Sequence, residues 1–283
     1  MSADVFAALW PVLRKARRAH LQGWGEPLLN PRFFDFQAFA AKAGCATSTT
    51  TCGMVMDEQL AARLASCGLD IIAFSLVGTD AASNAARAGA PFERVCANIR
   101  CLGAAVASQP AETRPEIHLA YLVLPDRLDA LLKLPQLMDE LDISCTVLST
   151  MDYIADDAQT GNAWLPDRDS TGLRTLLAEI TAKAQKSGRR IHFSLPDQRS
   201  KRGDCRENIA RTMFVSASGD ISPCVYLNVP EGRKTERTTV FGNCLAKSPW
   251  AIWQQPDFLA FRQKMSRNEP DAACASCPKR YEA

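Results

Sequence analysis

The sequence predicts an α/β fold in two parts: a parallel-sheet domain over residues 1–190 and a small cysteine-bearing domain over residues 191–283. Three observations carry this. Short apolar runs alternate with stretches of helical periodicity through the first part, the pattern of repeated βα units. Two of those runs, Asp70-Ile71-Ile72-Ala73-Phe74 and Leu119-Ala120-Tyr121-Leu122-Val123-Leu124, are nearly all apolar, as strands of a helix-covered parallel sheet must be. The last third holds Cys205, Cys224 and Cys274-Ala275-Ser276-Cys277, a set of soft metal ligands rather than another βα unit.

Taken in order, Val5, Leu9, Val12, Leu13 and Ala16 recur at helical spacing. Asp4 lies at the start and Arg14, Lys15, Arg17 and Arg18 near the end, charges that suit the helix dipole. Pro11 predicts a kink or a second helix start, and the basic run reads as a solvated helix end rather than a binding patch. A strand over 19–22 leads into Gly23-Trp24-Gly25-Glu26-Pro27-Leu28-Leu29, whose glycines let a ligand approach the backbone. Then come a helix over 33–43, a Thr-rich strand over 45–51, a helix over 57–67 ended by Gly68, and a strand over 69–76 with Ser75 near its end. A helix over 85–107 broken near Pro91, a strand over 118–124, a helix over 128–141, a strand over 143–148 and a helix over 173–186 follow. Ligands of such sheets sit beyond the carboxyl ends of the strands. That places Gly23 to Glu26, Thr49 to Thr51, Ser75 and Ser149-Thr150-Met151-Asp152 on one rim. His20, His118 and His192 form no metal or catalytic-triad spacing and read as structural.

In the second part, Ala217-Ser218-Gly219-Asp220 lies between Phe214-Val215-Ser216 and Ile221. This is a hairpin that presents Cys224 at the end of its second strand. A helix over 251–265 and Pro270 precede the C-x-x-C. Cys205, Cys224, Cys274 and Cys277 together suit a tetrahedral zinc or a 4Fe–4S cluster. Spacing alone does not separate these two; it favours either of them over four inert buried thiols. Cys244 reads as a buried thiol.

Composition sets the outer bounds. Hydrophobic residues make up 47% of 283 and charged residues 23%, enough for a sizeable core, and a formal net charge of +2 gives no electrostatic case for nucleic acid. No apolar run approaches the ~20 residues of a membrane span. The 11 cysteines, an odd number, and the lack of a basic-then-apolar pattern over residues 1–9 predict a reducing cytoplasm with thiols free or on metal.

Gly23-Trp24-Gly25-Glu26-Pro27-Leu28-Leu29-Asn30-Pro31 resembles the Gly-Gly-Glu region of radical S-adenosylmethionine enzymes. Thr49-Thr50-Thr51-Cys52-Gly53 resembles their third strand, with Cys52 where Asn is commoner. Ala73-Phe74-Ser75-Leu76-Val77-Gly78 resembles their fourth, and Cys205, Gly219 with Cys224, and Cys274-x-x-Cys277 resemble the shortened, twitch form of their SPASM domain. The resemblance covers nearly the whole chain in the right order. It implies a partial (βα)6 barrel and one auxiliary 4Fe–4S cluster on Cys205, Cys224, Cys274 and Cys277. It also implies an S-adenosylmethionine site at Gly23, Gly25, Glu26, Thr50 and Ser75, with the Gly25-Glu26 backbone meeting the substrate's amino group.

The family's C-x-x-x-C-x-x-C, whose cluster donates the electron that cleaves S-adenosylmethionine to a 5′-deoxyadenosyl radical, does not occur among these residues. The expectation is therefore a barrel lacking its first strand and a chain that is incomplete as a catalyst. It is either an enzyme whose cluster segment lies elsewhere, a non-catalytic scaffold or peptide-binding partner, or a zinc-stapled binding protein. A peptide or small-molecule substrate, an electron donor if active, and a second chain at the open sheet edge are the partners implied. The catalytic residues are not readable.

Overall fold

The computed structural model describes residues 1–151, 157–164, 169–195, 205–230, 238–275 and 277–280. The Ser2 hydroxyl accepts the Val5 N–H at 3.3 Å and starts α1 (Ala3–Ala8). Pro11 lies in the first turn of α2 (Trp10–Leu13), so it marks a second start, where its missing N–H costs nothing. The βα series follows: β1 (Arg18–His20), α3 (Phe33–Lys42), β2 (Ala46–Thr51), α4 (Glu58–Ser66), β3 (Ile71–Leu76), α5 (Ala81–Asn84), α6 (Phe92–Ala107), β4 (Glu116–Val123), α7 (Leu134–Glu140), β5 (Cys145–Thr150), α8 (Thr171–Lys186) and β6 (Arg190–Phe193).

The caps explain several boundaries. Asp57 accepts the Leu60 N–H at 2.8 Å to begin α4, and Gly68, at φ +84°, ends that turn. The helix expected over 85–107 starts only at Phe92, because Gly89 turns at φ +77° and Pro91 is extended. The helix expected over 128–141 opens as a 3-10 segment, Pro125–Lys133, before α7.

The six strands pair in parallel in the order β1-β2-β3-β4-β5-β6. Nowhere does this order reverse, unlike that of a doubly wound sheet. The pleat alternates through β2, β3 and β4 and from Val147 on in β5. Ile72, Phe74, Leu76, Leu119, Tyr121 and Leu148 are buried on one face, while Thr50, Ala73, Ser75, Ala120 and Ser149 remain half-exposed on the other. The buried face meets α4, α6, α7 and α8 in a core that includes Leu64, Ile99, Leu102, Leu134, Leu177 and Ile180. Among the described residues one face is thus covered and the other left half-exposed, the arrangement of a partial barrel.

β6 was not anticipated, and the boundary expected at 190/191 falls inside it. Its residues pair with Cys145 to Leu148 of β5, which assigns them to the large sheet. At the other end, among the described residues, β1 pairs with β2 only. The Arg17 carbonyl accepts from Ala46 and the Leu21 N–H donates to Ser48 at 2.7 Å, so Arg18 and His20 turn their N–H groups away from β2. Amide exchange at Arg18 and His20 should be fast beside that of Ile72 and Phe74 in the sheet centre. Equal protection would show that another segment or a second copy pairs along this edge.

The second part forms a three-stranded antiparallel sheet of β7 (Phe214–Val215), β8 (Asp220–Ser222) and β9 (Gly242–Asn243). Gly219 makes the expected β7–β8 turn at φ +92°, and a Cβ there would lie 2.8 Å from the Cys244 sulfur. The helix expected over 251–265 is two, α9 (Pro249–Gln254) and α10 (Pro256–Ser266), since Gln255 is extended before Pro256. A short α11 (Ala272–Ala275) follows.

A second core joins the chain's two ends. Val5, Phe6, Leu9 and Leu13 pack with Phe36 and Ala40 of α3 and with Ile221, Ile252, Phe258 and Phe261. Phe6 stacks on Phe36 at 4.2 Å between ring centroids and Phe241 on Phe258 at 4.3 Å. Among the described residues no helix is long and apolar enough to cross a membrane.

Candidate functional site

Three separate segments bring Cys205, Cys224, Cys274 and Cys277 to one recess, lined also by Glu207, Ile209, Tyr226, Leu227 and Arg280. β8 carries the chain to Cys224, which is extended at the start of a 3-10 turn over Val225–Leu227. Cys274 rides on α11 and is buried, and the Cys277 N–H donates back to the Cys274 carbonyl at 3.2 Å. The Arg206 N–H donates to the Lys279 carbonyl at 3.1 Å, which ties the first cysteine segment to the last.

Burial pushes the Cys205 and Cys224 thiols up to about 12, opposed by backbone N–H groups of Glu207 toward Cys205 and of Leu227 and Tyr226 toward Cys224. Such thiols stay protonated at neutral pH until a cationic centre takes their protons' place. Amides aimed at sulfur are what an iron–sulfur site uses to stabilise its ligands. Four thiols with these donors fit a cluster chemically. Cys244 stands apart, buried in the second core with its sulfur 3.8 Å from the Val5 carbonyl.

On the sheet rim, the Glu26 carboxylate is fully engaged. It accepts the Thr51 hydroxyl at 2.8 Å, the Cys52 N–H at 2.7 Å and the Leu28 N–H at 3.2 Å. Its side chain therefore locks the loop after β1 to the end of β2 and leaves the loop backbone to face outward. Gly23 and Gly25 have open space around them, with nothing within 4 Å of an added Cβ.

Of the expected strand-end hydroxyls, Thr50 and Ser75 lie on the open face. Thr49, Thr51 and Thr150 do not. They are buried, and Thr49 donates to the Leu21 carbonyl at 2.8 Å. The pleat decides this, since adjacent residues of a strand point to opposite faces. Asp152 lies outside the described residues.

His20 bonds Ser48 at 2.8 Å and His118 bonds Glu116 at 3.0 Å, both on the open face. His192 lies on the same face, in register with Val147.

Sequence reasoning missed three features. Arg87 is half-buried, and its charge acts on both Cys52 and Glu26. Lys279 and Arg280 are buried beside the cysteines; the basic pair just after the C-x-x-C was the available signal. The third is a bridge between the rim and the recess. The Trp24 indole donates to the Asn228 carbonyl at 2.8 Å, and its ring meets Tyr226 edge-on at 6.5 Å.

Residues 205–278 match the SPASM family, an iron–sulfur cluster-binding domain. The parallel-sheet domain ahead of that stretch has the fold of two solved structures that bind S-adenosylmethionine. It is 23% identical over 267 residues to the tungsten-containing aldehyde ferredoxin oxidoreductase cofactor-modifying protein of Pyrococcus furiosus, covering 91% of this chain and 72% of that one. It is 25% identical to the PqqA peptide cyclase of Granulibacter bethesdensis, covering 92% of this chain and 66% of that one. Streptococcus suis SuiB bound to S-adenosylmethionine superposes with a TM-score of 0.68 at 16% identity, over 99% of this chain and 65% of SuiB. The anSMEcpe structure with bound AdoMet gives 0.67 at 14% identity, over 99% and 85%. SuiB has also been seen with its precursor peptide SuiA and anSMEcpe with the Cp18Cys peptide. This chain spans just under two thirds of PqqA peptide cyclase and of SuiB.

Proposed function

We propose that this SPASM-type protein holds one auxiliary 4Fe–4S cluster on Cys205, Cys224, Cys274 and Cys277. We further propose that its open sheet face receives S-adenosylmethionine and a peptide. The observation that carries the cluster assignment is the meeting of four thiols from three segments on one buried recess. The match of residues 205–278 to an iron–sulfur cluster-binding domain supports iron over zinc at these thiols. When bound, such a cluster supplies a one-electron redox centre beside the reaction site.

The chain's own residues do the rest. The backbone at Gly23, Gly25 and Glu26, held by the Glu26 carboxylate, faces the amino group of S-adenosylmethionine. Thr50 and Ser75 offer hydroxyls from the sheet floor. The small side chains of Ala73, Ala120 and Ser149 leave room above that floor for a peptide, the substrate class that SuiB and anSMEcpe bind. A domain division just after β6, near 195, and a reducing cytoplasm complete the proposal.

Anaerobic reconstitution tests it. The protein should take up about four irons per chain. Stoichiometric zinc without iron uptake would replace the cluster with a zinc staple, and about eight irons would reveal a second site.

The scaffold reading rests on a separate observation, the lack of C-x-x-x-C-x-x-C among these residues. An auxiliary cluster with every iron on a cysteine offers S-adenosylmethionine no open iron. Incubated alone with dithionite and S-adenosylmethionine, these residues should form no 5′-deoxyadenosine above background. Turnover, abolished by a Cys205 change, would overturn that part.

A further inference from the structure

The recess contains a cation that the thiol set does not explain. Arg280 is 1% exposed and lines the same recess as the four cysteines. Its Nη1 donates to the Ala275 carbonyl at 3.3 Å and its Nη2 to the Asn268 side-chain oxygen, while its buried Nε–H has no partner among the described residues. No carboxylate among the described residues forms an ion pair with it. Lys279, in contrast, lies 3.7 Å from the Glu207 carboxylate. A buried charge without a counter-ion, carrying an N–H without an acceptor, is costly, and a protein tolerates it where an anion completes the site.

We propose that Arg280 completes the cluster's coordination environment. Its guanidinium donates from Nε to a cluster sulfur and supplies the counter-charge that sets the cluster's reduction potential. This rests on the cluster assignment made above. Four thiolates carry more negative charge than an iron–sulfur core offsets, so the assembly is anionic. Reduction adds one more negative charge. A fixed cation in a water-poor recess therefore stabilises the reduced form more than the oxidised form and raises the potential. The planar fork suits the task, because its two Nη arms anchor to Ala275 and Asn268 and leave the Nε–H uncommitted. Lys279 contributes less, since Glu207 offsets its charge.

The test is a potentiometric titration of reconstituted protein, with electrons supplied by dithionite through mediators and the reduced cluster followed by EPR. Arg280→Gln with a wild-type iron content should be reduced only at a more negative potential than wild type, and Arg280→Lys should fall between. In wild-type protein grown on heavy-nitrogen arginine, pulsed EPR of the reduced cluster should detect a guanidinium nitrogen coupling that Arg280→Lys lacks. An unchanged potential in iron-replete Arg280→Gln overturns the proposal while leaving the cluster assignment standing. Wild-type protein that takes up no iron overturns the assignment beneath it. Where Arg280→Gln fails to hold iron, the labelled wild-type protein decides, and no nitrogen coupling there refutes the role of Arg280.

Discussion

Replacing any one of Cys205, Cys224, Cys274 or Cys277 by Ala should strip the reconstituted protein of most of its iron and visible absorption, whereas Cys244→Ala should keep both. The contrast follows from position. The four thiols share a recess, whereas Cys244 is buried elsewhere, with its sulfur against the Val5 carbonyl and the Gly219 turn. Changes beyond the ligands of a metal site already cost about 10–100-fold in affinity, and loss of a ligand costs more. Cys244→Ala instead leaves a small cavity in the second core, a stability loss of about 1–2 kcal/mol with no effect on iron. Iron and sulfide analysis of the five variants checks this. Full iron in Cys224→Ala, or its loss in Cys244→Ala, would redraw the ligand set.

Gly78→Ala should be the most destabilising single-methyl change in the sheet domain. A Cβ at this position would lie 2.2 Å from the Asn84 nitrogen and 2.2 Å from the Ser83 carbonyl carbon, both backbone atoms that no rotamer change can move. The segment around it is wound tightly. Asn84 accepts the Val77 N–H at 3.0 Å, Asp80 and Ser83 cap each other to begin α5, and the Thr79 hydroxyl donates to Ala130 at 2.8 Å. Relieving the clash means breaking this network, at a cost of about 3 kcal/mol and a melting temperature lower by roughly 10 °C. Gly103→Ala is the control. It lies inside α6 with nothing within 4 Å of its Cβ position, so it should be neutral or slightly stabilising. Equal melting temperatures for the two variants would mean that the β3–α5 connection is looser than its hydrogen bonds imply.

Much of the architecture was legible because its signals are local. Asp57, Gly68 and Pro11 mark helix ends through their own backbone and side-chain chemistry. Gly219 marks a turn that only a residue free to adopt positive φ makes easily. β6 escaped notice because it is a four-residue edge strand, Arg-Ile-His-Phe, in which only Ile191 is buried. The break at Gln255 went unread because Trp253 and Phe258 continue an apolar pattern across Pro256, where the backbone cannot.

The sequence by itself determined the parallel α/β class, the hairpin that delivers Cys224 and the identity of the four candidate thiols. Each of these depends on periodicity, turn chemistry or residue type within a few positions. The tertiary structure alone decided that those thiols meet, since residues 205, 224, 274 and 277 come from segments that only folding brings together. It also decided that Glu26 spends its carboxylate on Thr51 and Cys52, that Trp24 reaches Asn228, and that Arg280 is buried among the cysteines. These are long-range or burial facts. No local pattern encodes which water-excluded space a charged side chain will enter, because that space is made by residues distant in the chain.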